Sequence, residues 1–165
     1  MFESKNELTK VDLQLIAKYI SLKVGKMSHL KLQKLLYYCY SMHLAYFDSE
    51  LFDGDFEAWV HGPVSRELWN TVKEHSLLYS DIIYTIEPKE KNPIELVEKL
   101  LTIDQIQLLD DTLKELGSLT GYELENMTHS ETPWIEARNG YNEGDRCNEQ
   151  INKETVRSYY KTWFS

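Results

Sequence analysis

Lys31-Leu32-Gln33-Lys34-Leu35-Leu36-Tyr37-Tyr38-Cys39-Tyr40-Ser41-Met42-His43-Leu44-Ala45-Tyr46 is the stretch whose reading decides the fold. Ser28 can cap a helix just ahead of it. Leu32, Leu35, Leu36, Cys39, Met42, His43 and Tyr46 recur at helical spacing and form one broad apolar stripe. Lys31, Lys34 and Ser41 fall on the other side of a helical wheel. A stripe this wide marks a central helix, against which the rest of the chain packs.

The neighbouring segments are helical too. Upstream, Thr9 is the expected N-cap, with Asp12 three residues on. Leu13, Ile16, Ala17, Ile20 and Val24 then follow at helical spacing, and Gly25 is the stop. Downstream of residue 90, Asn92-Pro93 opens a short helix through Leu101. Thr102 with Gln105, and Thr120 with Glu123, form two capping boxes, the first starting the helix of Ile106, Leu109, Leu113 and Leu116. Thr132-Pro133 starts another helix, Gly140 ends it, residues 140–145 form a loop, and Asn152 caps a last helix bearing Val156, Tyr159, Tyr160 and Trp163.

Between Phe47 and Pro63 the rhythm changes. Asp53-Gly54-Asp55 is a turn, and Phe56-Glu57-Ala58-Trp59-Val60-His61 mixes aromatic and β-branched residues as a strand does. Gly62 ends it, and Pro63 suits the first turn of a helix carrying Val64, Leu68, Trp69 and Val72. Ile82-Ile83-Tyr84-Thr85-Ile86 is a second strand, expected to pair with the first because one strand alone leaves its backbone groups unpaired. The expectation is a mainly α chain, a single compact domain over 1–165, with about seven helices and a small two- or three-stranded β element.

The 165 residues suffice for one buried core, and 42% hydrophobic with 27% charged residues is ordinary for a water-soluble protein. No apolar run approaches the roughly 20 residues of a membrane span. The polar first seven residues do not resemble a signal peptide. Two isolated cysteines, Cys39 and Cys147, make no disulfide framework, so a reduced, cytoplasmic location is expected. The net charge of −9 repels a phosphate backbone and attracts a basic protein, so no nucleic-acid partner is expected.

The side chains nominate no catalytic, cofactor or metal set. The five histidines, His29, His43, His61, His75 and His129, make no HxxxH or HExxH pair. No nucleophile elbow or glycine-rich phosphate loop occurs, and Asp110-Asp111 reads as a solvated face. Two compressed aromatic segments remain: Trp59-Val60-His61-Gly62-Pro63 and Thr128-His129-Ser130-Glu131-Thr132-Pro133-Trp134. Either their tryptophans are core anchors, or the two segments converge into a binding face in which Trp and Tyr are the anchors.

Three motifs, in order, carry a resemblance. Residues 31–38 resemble the opening KLQKLLYY motif of the Panacea (SocA-like) antitoxin domain family, also known from phage-associated proteins of the GepA type. Phe56-Glu57-Ala58-Trp59-Val60-His61-Gly62-Pro63-Val64 is similar to its FEAWxxGPV motif. Leu116-Gly117, Thr120, Leu124, Thr128-His129 and Pro133-Trp134 resemble its C-terminal pattern. The resemblance implies a non-enzymatic antitoxin that binds a toxin encoded nearby. A second reading is an adaptor that delivers the toxin to an ATP-dependent protease. A third is an enzyme with a His61/His129 pocket. The partner-binding residues expected are Trp59, His61, Tyr37, Tyr38, Trp134 and His129, with the two tyrosines taken as exposed. Residues 77–101, which match no motif, are expected to hold partner specificity.

Overall fold

A computed structural model describes residues 8–74 and 78–164. Its organising element is α2, His29–Phe47, whose N-cap Ser28 accepts from the Lys31 N–H. Sixteen of its nineteen residues are buried, so the apolar stripe extends around the whole cylinder. α1 (Leu13–Val24), α5 (Ile103–Leu116), α6 (Gly121–His129) and α8 (Lys153–Lys161) all pack on it. α3 (Arg66–Val72), α4 (Pro93–Leu100) and α7 (Thr132–Ala137) complete the α-helices. A single 3-10 turn, η1 (Thr162–Phe164), follows α8. The chain is mainly α, with eight α-helices among the described residues where the sequence led us to expect about seven.

The expected caps at Asn92, Thr102, Thr120 and Asn152 all form, and both capping boxes are reciprocal. At α1 the cap moves. Asp12, not Thr9, accepts from the Gln14 N–H, while Val11 is drawn into the core and donates its N–H to the Leu51 carbonyl. The strand pairing also differs from expectation. β2 (Glu57–Trp59) turns back at Val60-His61 and pairs with β3 (Gly62–Val64), which the sequence assigned to the start of a helix. Ser65 is therefore the true cap of α3. The second expected strand shrinks to β4 (Asp81–Ile82) and pairs with β1 (Met27–Ser28), giving two separate two-stranded sheets. The hairpin wins because its turn brings a partner strand within five residues, so little loop entropy opposes closure. The polar N-terminal segment over 1–7 and His75 lie outside the described residues, as does the start of the 77–101 stretch. No described helix is long and apolar enough to cross a membrane.

One hydrophobic cluster runs through α1, α2, α5, β2 and α8. Several polar groups within and beside it are satisfied internally. Tyr19 donates to Asp110 at 2.5 Å, and His43 bridges the Ser49 carbonyl at 2.6 Å and the Gln105 amide at 2.9 Å. Burial pushes the His43 imidazole down to about 4, so it sits neutral in the core.

Candidate functional site

The candidate site lies where the N-terminal half of α2 meets the β2–β3 hairpin. Gln33 treats the hairpin as a strand would. Its side-chain oxygen accepts the Ser65 N–H at 2.8 Å, and its amide donates to the Ser65 carbonyl at 3.2 Å. Lys34, expected on the solvent side of α2, is fully buried and donates to the Pro63 carbonyl at 2.9 Å. Ser41 is buried as well. For Lys34 the cause is tertiary: β3 and α6 roof the part of α2 that periodicity left polar. Loss of hydration pushes the Lys34 amine down to about 7, opposed by the negative charge of Glu125.

Gly62 makes this approach feasible. Its φ is +99°, and a Cβ there would lie 2.6 Å from Lys34 Cε and 2.8 Å from Thr128 Oγ1. The hairpin is held from its other side by α7. Trp134 Nε1 donates to the Trp59 carbonyl at 2.8 Å. Arg138, buried beneath the hairpin, donates to the Ala58 carbonyl at 2.8 Å and to three carbonyls of the 142–145 loop. Side chains from α2 and α7 thus fix the hairpin's backbone, and Trp134 is a core anchor whose nitrogen is spent.

Trp59 points the other way. Half-buried, it meets Trp69 at 5.3 Å, is covered by the Arg66 guanidinium at 5.2 Å and donates to Glu57 at 2.8 Å. His29 stacks behind Trp69 at 5.1 Å. Trp59, Trp69, His61, Arg66, Arg146 and Cys147 line a cleft of about 390 Å³. Arg66 is neutralised by a two-pronged ion pair to Glu57 at 2.9 and 3.1 Å. Arg146 is exposed and has no ion-pair partner among the described residues. Cys147 is buried in the cleft wall.

The two expected histidines flank one carboxylate. His61 lies 3.3 Å from Glu125 and also meets Tyr79, while His129 feels the same Glu125 charge. His129 stacks on Trp134 at 4.1 Å and does not line the cleft, and burial lowers its pKa. Its Nε2 has no partner among the described residues. No group of three or more His, Cys, Asp or Glu capable of holding a metal occurs among them.

A family model described as the antitoxin SocA-like, Panacea domain matches residues 32–135, which span α2, the hairpin, α5, α6 and the Trp134 turn. The chain belongs to this family. No curated protein and no solved structure matches it.

Within this Panacea domain the expected contact residues separate into two groups. Trp59 and His61 reach the cleft. Tyr37 and Tyr38, expected to be exposed, are 1% and 0% exposed and cannot touch a partner. The Tyr38 and Tyr160 hydroxyls both donate to the Glu131 carboxylate, at 2.8 and 2.6 Å, and the Tyr160 hydroxyl also meets that of Tyr37 at 3.1 Å. Burial raises the Glu131 carboxyl to about 7, although both hydroxyls oppose the shift. α8 covers these tyrosines, a tertiary contact that the helical periodicity of α2 does not encode. Sequence reading missed Trp69, Arg66 and Arg146. The first two were detectable as the residues following a strand that ends at a sharp Gly-Pro corner. Arg146 sits in a loop with no pattern of its own.

Proposed function

We propose that this Panacea domain neutralises a cognate toxin encoded nearby by binding it directly in the cytoplasm, with the Trp59–Trp69 cleft as the anchoring surface. One observation carries the reading: two indoles and an unpaired Arg146 stand together in a concave wall. Trp and Arg are the side chains most enriched among residues that dominate binding energy. An interface of standard size, about 1,200–2,000 Å² in total, extends well beyond the cleft. The net charge of −9 speeds encounter with a basic toxin and disfavours nucleic acid as the partner.

The test is co-expression with the toxic protein encoded beside this chain. Arg146→Glu breaks no hydrogen bond or ion pair among the described residues, so its melting temperature should stay unchanged. Trp69→Ala removes half of the indole pair. Both variants should lose growth rescue, and the purified Arg146→Glu complex should bind about tenfold more weakly, the effect of about 1.4 kcal/mol. Full rescue with undiminished affinity in both variants would show that the toxin docks elsewhere.

A further inference from the structure

A second surface lies at the other end of α2. Met42, Leu108, Leu116, Trp163 and Phe164 line a groove of about 300 Å³ between α5 and η1. Its aromatic wall is open to water: Trp163 is 43% exposed and Phe164 41%. Tyr46, 58% exposed, extends the wall, with its ring 5.1 Å from that of Phe164. Exposed aromatics this close together form a patch, unlike scattered single side chains.

The charge beside the groove has one sign. Asp104, Asp111 and Glu115 recur on α5 at i, i+7 and i+11, a spacing that keeps them on one face, and Leu108 falls between them. All three are exposed, and none has an ion-pair partner among the described residues. Asp110, one residue away but facing α1, has Lys23 at 3.8 Å instead. The cations that precede η1, Arg157 and Lys161, are engaged by Asp48 and Glu154. The molecule therefore offers an apolar groove edged by a row of uncompensated carboxylates about 16 Å long, from eleven residues of helical rise.

We infer that this groove binds a basic amphipathic helix of a protein partner, which lays its apolar face on Leu108, Trp163 and Phe164 and its lysines or arginines against Asp104, Asp111 and Glu115. A helix in a groove presents anchors at i, i+3, i+4 and i+7, and cations interleaved at that period match the acidic spacing of α5. The surface is separate from the Trp59–Trp69 cleft, so it stands or falls independently of where the toxin is neutralised.

The experiment titrates the full chain with a synthetic helical Lys/Leu peptide and with its Glu/Leu counterpart, followed by calorimetry at low and high salt. The basic peptide should bind, and its affinity should fall as salt rises. The double variant Asp111→Lys, Glu115→Lys should weaken it about tenfold, since each reversed charge removes one modest attraction and adds one repulsion. Phe164→Ala should weaken it too, while Arg146→Glu in the cleft should leave it unchanged. Equal binding of both peptides, no binding of either, or indifference to the Asp111/Glu115 change each overturns the inference. So does a concentration-dependent dimer that Phe164→Glu dissociates, because the groove would then be filled by a second copy.

Discussion

Replacing Lys34 by methionine probes the most unusual electrostatic feature of the structure. The side chain keeps its unbranched length and loses only the amine. In the folded protein that amine titrates near 7 because it is fully buried; in the unfolded chain it returns to its ordinary value of 10.5. Between those two values the unfolded state holds a proton that the folded state lacks. Stability of the native protein therefore rises with pH across this window, by up to 1.36 kcal/mol for each unit. From about pH 7 to about pH 9.5 the rise is about 3 kcal/mol, less than the limiting slope because half of the folded molecules are already protonated at the lower end. Lys34→Met abolishes this contribution. It also orphans the buried Pro63 carbonyl, at a cost of about 1–3 kcal/mol that does not depend on pH. Urea unfolding of both proteins at several pH values gives the comparison. Ionisations common to the two chains, the tyrosines included, cancel in the difference. The advantage of the native protein over Lys34→Met should shrink by about 3 kcal/mol as pH falls from about 9.5 to about 7. A difference that stays constant across that range would mean that Lys34 is folded as a cation, and the account of its burial would be wrong.

The opposite sign is expected at Glu131, whose folded value of about 7 lies above its ordinary 4.5. Here the folded state holds the extra proton, so the contribution is fully present below about pH 4.5 and is lost as pH rises to about 7. Glu131→Gln keeps an acceptor for Tyr38 and Tyr160, so it should match the native protein near pH 4.5 and exceed it by about 2–3 kcal/mol at pH 8, read by the same denaturant titrations. Gly62→Ala forces a left-handed φ on an L-residue and pushes a methyl into Lys34 and Thr128. A loss of about 2–4 kcal/mol in chemical unfolding is expected, and a loss under 1 kcal/mol would contradict the tight approach.

Helices were legible because their signals are local. The reciprocal capping boxes at Thr102 and Thr120, and the caps at Ser28, Asn92 and Asn152, needed only three or four consecutive residues to declare themselves. What escaped was set by long-range contact. Lys34, Tyr37 and Tyr38 have polar atoms that a helical wheel assigns to solvent. Only the arrival of Pro63, Glu131 and Tyr160, distant in sequence, gives those atoms partners and allows their burial. The short strands failed for the same reason: two or three residues carry no period, and Met27–Ser28 meets Asp81–Ile82 across more than fifty residues of chain. At the candidate cleft, Trp59 and His61 stand out in the sequence because an aromatic run next to Gly-Pro is unusual, whereas Arg146 becomes visible only when the fold brings its loop beside the hairpin.

The placement of the motif residues bears on how partner choice is divided. Gln33, Lys34, Gly62 and Trp134 hold the hairpin against α2, α6 or α7, and the buried tyrosines tie α2 to Glu131 and α8, so all act on this chain's own backbone or core. Residues so placed build a platform and discriminate between partners only by moving it. Under the two proposals above, discrimination falls instead to exposed side chains that the platform displays, namely Arg146 at one end of α2 and the Asp111, Glu115 and Phe164 surface at the other. Substitutions in the first group should therefore lower stability and rescue together. Substitutions in the second should lower rescue or peptide binding at unchanged melting temperature. A surface variant such as Arg146→Glu that lost both in proportion would break the division.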